Sequence, residues 1–126
     1  MFFPQRPKIL VADDQRVIAD TLAMILAQNG YETIATYGGR EAIAQARRWT
    51  PDLFVSDVSM PEVDGIRAAI EIHTLFPRCK VLLFSAEASS LELVRGARSQ
   101  GHSFEFLEKP FHPVVMLDIL RHLQAA

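Results

Sequence analysis

Five short apolar runs alternate with longer amphipathic segments along the chain, and this alternation limits the fold more than any other feature. Three of the runs are almost continuously apolar, as expected of parallel strands buried on both faces of a sheet: KILVA (8–12), LFVS (53–56) and VLLFS (81–85). The other two alternate apolar with polar residues and carry glutamates: YETIAT (31–36) and SFEFLE (103–108). Because charged side chains protect exposed sheet edges, the second and fifth strands are predicted to be the edges.

The segments between these runs have the spacing of helices and recognisable end signals. The fourth segment, around residues 88–100, has the weakest pattern, because Gly96 lies inside it and costs about 1 kcal/mol relative to alanine. We interpret this glycine as keeping the fourth helix easy to shift. The end signals of the other segments are Asn29-Gly30 after the first, Thr50-Pro51 after the second, Pro77 after the third and Pro113 at the start of the fifth.

Strand and helix therefore alternate five times, which predicts an α/β fold built on a parallel sheet. Right-handed crossovers with helices on both faces give a doubly wound (βα)5 open sheet. With the second and fifth strands at the edges the strand order is 2-1-3-4-5, the flavodoxin-like arrangement. In that order ligands bind beyond the carboxyl ends of the first and third strands, where the winding direction changes.

The length of 126 residues predicts a single domain, residues 1–126, with a core over about 7–124. The formal net charge of -2, without a Lys/Arg stripe, gives little support for direct nucleic-acid binding. No apolar stretch approaches the roughly 20 residues of a membrane span, so we expect a soluble, cytoplasmic protein. The single cysteine, Cys79, fits a reducing compartment and is expected to be a small buried side chain. Phe2 and Phe3 are expected to pack on the domain surface.

Three carboxylates follow the two strands that border the predicted crevice. Asp13 and Asp14 come directly after the first strand, and Asp57 comes directly after the third. At an effective dielectric of about 20, two carboxylates 4 Å apart repel each other by roughly 4 kcal/mol, so the cluster requires a cation or a shared proton. Oxygen ligands without nearby histidine or cysteine suit Mg²⁺, with Mn²⁺ as an alternative, and the backbone carbonyl of Ser59 can add a ligand.

Two further residues are expected at the same edge of the sheet. Ser85 ends the fourth strand and Lys109 follows the fifth. A lysine and a hydroxyl beside Mg²⁺ supply the charge neutralisation that a phosphoryl group needs. Since a carboxylate can act as a nucleophile and become an aspartyl phosphate, Asp57 is the candidate acceptor.

In this order along the chain, the landmark residues resemble those of the response-regulator receiver domain of bacterial two-component signalling. The resemblance covers nearly the whole chain, and the set is far more specific than any one of its parts. The residues that carry it are Asp13-Asp14, Asp57 with SMPEVDG (59–65) shortly after it, Ser85-Ala86 and Lys109-Pro110-Phe111.

This resemblance implies a role for each landmark. Asp57 would be the phosphoacceptor, Asp14 a direct Mg²⁺ ligand and Asp13 a ligand largely through water. Asp57 itself and the carbonyl of Ser59 would complete the metal site. The phosphoryl group would be bound by Lys109, Ser85 and Ala86, Ser85 would also move as a switch residue, and the Lys109-Pro110 peptide bond would be cis.

The resemblance also implies partners and a mode of action. The phosphodonor would be a sensor histidine kinase or a histidine phosphotransfer protein. A downstream protein would bind the face formed by the fourth helix, the fifth strand and the fifth helix. The protein would be a signalling phosphoprotein rather than an enzyme, capable at most of self-phosphorylation from acyl phosphates and of autodephosphorylation.

A second switch residue, an aromatic on the fifth strand, is harder to assign. Counting back three residues from Lys109 selects Phe106, whereas counting forward from Gly101 selects Glu105, because the intervening segment is one residue longer than the usual family spacing. Strand alternation places Phe104 and Phe106 on one face and Glu105 on the other, which favours Phe106 and leaves Phe104 as the alternative.

Two other functions were weighed against this interpretation. A phosphatase of the haloacid dehalogenase type needs an Asp-x-Asp motif on its first strand, but here Asp13 and Asp14 are adjacent and no cap domain fits. A receiver-like interaction module that works without phosphorylation is disfavoured by the complete acidic set. Because the chain begins with Met and ends just past the last helix, we expect a stand-alone receiver without an output domain.

Overall fold

A computed structural model describes residues 6–125; the expectation for Phe2 and Phe3 therefore lies outside the described residues. The strands are β1 (Lys8–Ala12), β2 (Glu32–Thr36), β3 (Leu53–Asp57), β4 (Lys80–Ser85) and β5 (Glu105–Glu108). The helices are α1 (Arg16–Gln28), α2 (Gly39–Trp49), α3 (Gly65–Leu75), α4 (Ser90–Ser99) and α5 (Pro113–Ala125). Within residues 6–125 no helix has both the length and the apolar composition needed to cross a membrane.

The five strands form one parallel sheet in the order β2-β1-β3-β4-β5, which confirms the predicted fold and both edge strands. β1 pairs with β2 on one side and with β3 on the other, so that Ala12 lies between Thr36 and Ser56. The carboxyl ends of β1 and β3 are therefore neighbours, and the residues that follow each strand meet at the same edge.

Alternate residues of the central strands point into two separate cores, one on each face of the sheet. Phe54 and Leu83 pack on the face covered by α2, α3 and α4, whereas Val55 and Phe84 pack on the face covered by α1 and α5. Cys79 is buried in the first of these cores as expected, and burial raises the pKa of its thiol to about 12. The buried aromatic and aliphatic side chains hold the carboxyl ends of the interior strands in fixed positions.

The start of β5 differs from the sequence prediction, which began that strand at residue 103. The strand begins at Glu105, and the preceding Phe104 is buried in irregular backbone. Phe104 packs edge-on against the ring of His73 and in a tilted arrangement against the ring of His102. The Nδ1 atoms of these two histidines lie 2.7 Å apart, and this hydrogen bond joins α3 to the segment before β5. Side-chain packing thus replaces strand pairing over these residues.

Candidate functional site

The three acidic residues of the sequence prediction converge at the carboxyl ends of β1 and β3. Asp13, Asp14 and Asp57 each offer a carboxylate oxygen, and these oxygens all lie within 4.8 Å of one another. Asp13 is fully buried and Asp57 is 7% exposed, whereas Asp14 faces solvent. We call these three residues the acidic crevice.

Asp13 has an incomplete set of partners. Its Oδ1 accepts a hydrogen bond of 2.9 Å from the backbone N–H of Gln15, but its buried Oδ2 has no hydrogen-bond partner among residues 6–125. Burial raises the pKa of this carboxyl, and the charges of Asp57 and Asp14 act in the same direction. The Gln15 N–H and the ammonium of Lys109 oppose that rise. An unpaired buried oxygen among oxygen donors fits a small, hard divalent cation.

Lys109 supplies the positive charge at the crevice. Its Nζ donates a hydrogen bond of 3.1 Å to Oδ2 of Asp57 and lies 3.8 Å from Oδ2 of Asp13. The ammonium also lies over the ring of Phe84, 4.9 Å from the centroid. The backbone N–H of Lys109 donates to the carbonyl of Ser85, and the Lys109–Pro110 peptide bond is cis.

The loop after β3 contacts the second oxygen of the Asp57 carboxylate. The backbone N–H of Ser59 donates a hydrogen bond of 3.1 Å to Oδ1 of Asp57. Both oxygens of Asp57 therefore accept a hydrogen bond, one from the loop and one from Lys109. These bonds hold the carboxylate plane at the mouth of the crevice.

Gly65 has a role that sequence reasoning missed. Asp64 caps α3 by accepting a hydrogen bond from the N–H of Arg67. At the next residue, a Cβ on Gly65 would collide with the backbone carbonyl oxygen of Asp57. The first turn of α3 thus packs directly against the end of β3, and only glycine permits that approach. The MP-x-x-DG pattern was the signal available, but it does not reveal which atom the glycine avoids.

Ser85 lies at the end of β4 with its hydroxyl directed towards α4. Its Oγ accepts a hydrogen bond of 3.0 Å from the N–H of Glu87 and lies 2.9 Å from Oγ of Ser90. Within residues 6–125 it makes no hydrogen bond with Asp57. The following residue, Ala86, is exposed at the rim of the crevice. Sequence reasoning did not identify Ser90, because serine is common at helix starts and its presence there does not indicate a particular contact.

The comparisons with known proteins agree with this fold. Residues 9–121 match the family model of the response regulator receiver domain. The chain belongs to the response-regulator receiver family.

Several individual proteins resemble this receiver domain. It is 38% identical over 105 residues to the transcriptional regulatory protein PdtaR of Mycobacterium tuberculosis, and the aligned region covers 82% of this chain and 50% of PdtaR. It is 29% identical over 114 residues to the chemotaxis protein CheY of Thermotoga maritima, and the aligned region covers 90% of this chain and 93% of CheY. A CheY-like receiver domain protein of Methanospirillum hungatei has a TM-score of 0.88 at 25% identity, over 96% of this chain and 95% of the other. The chain thus spans about half the length of PdtaR and nearly all of CheY.

The residues near β5 distinguish the aromatic candidates in this receiver domain. Phe104 is 2% exposed, whereas Phe106 is half-buried against the same core, on the face covered by α4. Glu105 is exposed on the other side of the sheet, where it lines a small cavity with Asp118 and His122 of α5. Of the three candidate positions, Phe106 is therefore the partly buried aromatic that packs against the core on the α4 side.

Proposed function

We propose that this receiver domain accepts a phosphoryl group on Asp57 in a Mg²⁺-dependent reaction of a two-component phosphorelay. The observation that carries the proposal is the hydrogen bond between Asp57 Oδ2 and Lys109 Nζ, 3.1 Å long, beside the unpaired buried oxygen of Asp13. One carboxylate is thereby placed at the mouth of the site with a cation on one side and two further acids on the other.

The reaction transfers a phosphoryl group from a phosphohistidine of the donor protein. An oxygen of Asp57 attacks the phosphorus in line, the P–N bond of the donor breaks, and its electron pair returns to the histidine nitrogen. With an acyl phosphate as donor the P–O bond breaks instead. Lys109 exchanges its hydrogen bond with Asp57 for one with a phosphoryl oxygen, which keeps its charge paired throughout.

The residues that would hold the metal are Asp13, Asp14, Asp57 and the backbone carbonyl of Ser59. Bound Mg²⁺, or Mn²⁺ in its place, supplies neutralising charge for the acidic crevice and for the phosphoryl oxygens. Asp13 would contribute largely through water, and its buried Oδ2, which lacks a hydrogen-bond partner among residues 6–125, is an oxygen that such a water would satisfy.

The signal is a change of conformation on the α4 side of the sheet. Ser85 and Ala86 border the phosphoryl position, and the hydroxyl of Ser85 donates a hydrogen bond to a phosphoryl oxygen. Phe106 then moves inward, which alters the face formed by α4, β5 and α5, where a downstream protein binds. The donor is a sensor histidine kinase or a histidine phosphotransfer protein, and the setting is the cytoplasm.

The test is incubation of the protein with Mg²⁺ and acetyl phosphate, read by intact mass. We expect one added phosphate in the wild-type protein, none without a divalent metal and none in Asp57→Asn. Asp118→Asn, which removes an exposed carboxylate on α5, serves as the matched control and should label normally.

Three results would replace the proposal. Equal labelling of Asp57→Asn would show that another residue accepts the phosphate. No labelling of the wild type by acetyl phosphate or by a phosphorylated histidine donor would leave a module that acts by contact alone. Catalytic turnover of an external phosphomonoester would instead indicate a phosphatase.

A further inference from the structure

Ser90 is a buried polar residue that the proposed reaction does not use. It lies in the first turn of α4, is 2% exposed, and shares the buried face of that helix with Val94 and Ala97. Its Oγ is 2.9 Å from Oγ of Ser85, and Ser85 is the partner that the structure gives this hydroxyl among residues 6–125. A buried hydroxyl that loses its partner costs free energy, so this contact has consequences for both residues.

The hydrogen bonds of Ser85 define what its hydroxyl can still do. A hydroxyl has two lone pairs and one proton. The N–H of Glu87 occupies one lone pair, and the O–H of Ser90 occupies the other. The proton of Ser85 is then left for an acceptor such as a phosphoryl oxygen, but the rotamer of Ser85 is held by two bonds that point towards α4.

The first turn of α4 has no side-chain cap. The residue before it, Ser89, is exposed and has helical backbone angles. The first N–H groups of the helix instead donate to backbone carbonyls of the loop that follows β4. A helix start without a capping side chain is less stable by about 1 kcal/mol. The Ser85–Ser90 hydrogen bond is therefore the side-chain link between the end of β4 and this uncapped helix start.

We propose that Ser90 is a positioning residue that couples the hydroxyl of Ser85 to the first turn of α4. This inference rests on the proposed phosphorylation of Asp57. When Ser85 turns towards a phosphoryl group, the Ser90 hydroxyl must either follow it or remain buried without a partner. Both alternatives disturb the first turn of α4, so the state of Asp57 reaches the helix through Ser90, at a cost to phosphoryl binding.

The experiment compares the wild type with Ser90→Ala in the presence of Mg²⁺ and beryllofluoride, which mimics a phosphoryl group on a carboxylate. Without the hydroxyl, Ser85 is released, and beryllofluoride should bind about 2- to 10-fold more tightly, the worth of one hydrogen bond. The backbone amides of residues 91–94 should respond less to beryllofluoride in NMR spectra, because the link to α4 is gone. Ser89→Ala removes the neighbouring exposed hydroxyl and should match the wild type in both readouts.

A double-mutant comparison separates positioning from a purely structural role. In a Ser85→Ala background, Ser90→Ala should change neither the affinity nor the response of residues 91–94, because the partner is already absent. Unchanged or weaker affinity in Ser90→Ala, or the same effect in both backgrounds, would overturn the inference. If the alanine variant does not fold, Ser90→Cys, which keeps the volume and a weaker donor, should give a smaller effect of the same direction.

The outcomes also separate this inference from the proposed function. If the wild type and Ser90→Ala bind beryllofluoride identically, only the role of Ser90 is overturned. Wild-type protein that neither binds beryllofluoride nor accepts phosphate from acetyl phosphate overturns both.

Discussion

The acidic crevice and the first turn of α4 lie at the same end of the sheet but are built in different ways. Asp13 follows β1 and Asp57 ends β3, both interior strands, and both residues are buried. The first turn of α4 has no side-chain cap, Gly96 lies further along the helix, and Leu93 is 54% exposed. In the proposed function the chemistry would thus take place on interior strands and the response in a helix with an uncapped start. A firmly held carboxylate next to such a helix would be suited to converting a local charge into a movement.

The largest expected effect comes from disturbing the constrained side. Gly65→Ala places a methyl group against the carbonyl of Asp57, and the contact is with backbone that cannot move aside. We expect a loss of about 1–3 kcal/mol in the free energy of unfolding, measured by urea denaturation, and slower labelling by acetyl phosphate. Gly38→Ala is the control, since a Cβ there meets nothing within 4 Å and its backbone is extended. Equal stability of the two variants would contradict the close approach.

A smaller effect of opposite sign is expected within the acidic crevice. Asp13→Asn removes a buried charge whose desolvation is unfavourable, so the metal-free protein should become more stable by on the order of 1 kcal/mol at neutral pH. The stabilisation of the protein by added Mg²⁺ should be lost at the same time. Asp118→Asn, at an exposed site on α5, should change neither quantity.

The pH dependence of this variant follows from the direction of the pKa shift. The pKa of Asp13 is raised in the folded protein above its ordinary value of 3.8, mainly because the carboxyl is buried. Its contribution to stability is therefore fully present below the unfolded pKa and is lost as the pH rises through the folded pKa. The advantage of Asp13→Asn over the wild type should be greatest at neutral pH and should shrink towards pH 4. A constant advantage across that range would show that charge is not its cause.

The sequence predicted the constrained side of this comparison better than the other. Continuous apolar runs indicated the interior strands, and the strand order then brought Asp13, Asp14 and Asp57 together. Lys109 follows from the same reasoning, because it comes directly after a strand. The strands were predicted from periodicity, which is a property of short segments. Their order then followed from general rules for βα units and for edge strands.

The less constrained side depends on individual side-chain contacts. The start of β5 was misplaced because the rings of His73 and His102 hold Phe104 outside the strand. Ser90 was missed because its significance is one hydrogen bond to Ser85. A pattern of polar and apolar residues does not show which individual side chains contact each other, so these features required the structure.

The smallest expected effect concerns Gly96, in the middle of α4. A Cβ at this position meets nothing within 4 Å, so Gly96→Ala should be accommodated without a clash. Alanine should stabilise α4 by about 0.5–1 kcal/mol, because it has less backbone entropy to lose on folding. Hydrogen exchange should slow in α4 while that of β1 and β3 stays as in the wild type, which would sharpen the contrast between the two regions.

If the glycine keeps α4 easy to shift, the same variant should also bind beryllofluoride more weakly than the wild type, since the helix resists the change that binding requires. Unaltered exchange in α4 would show that Gly96 does not set the local stability of this helix.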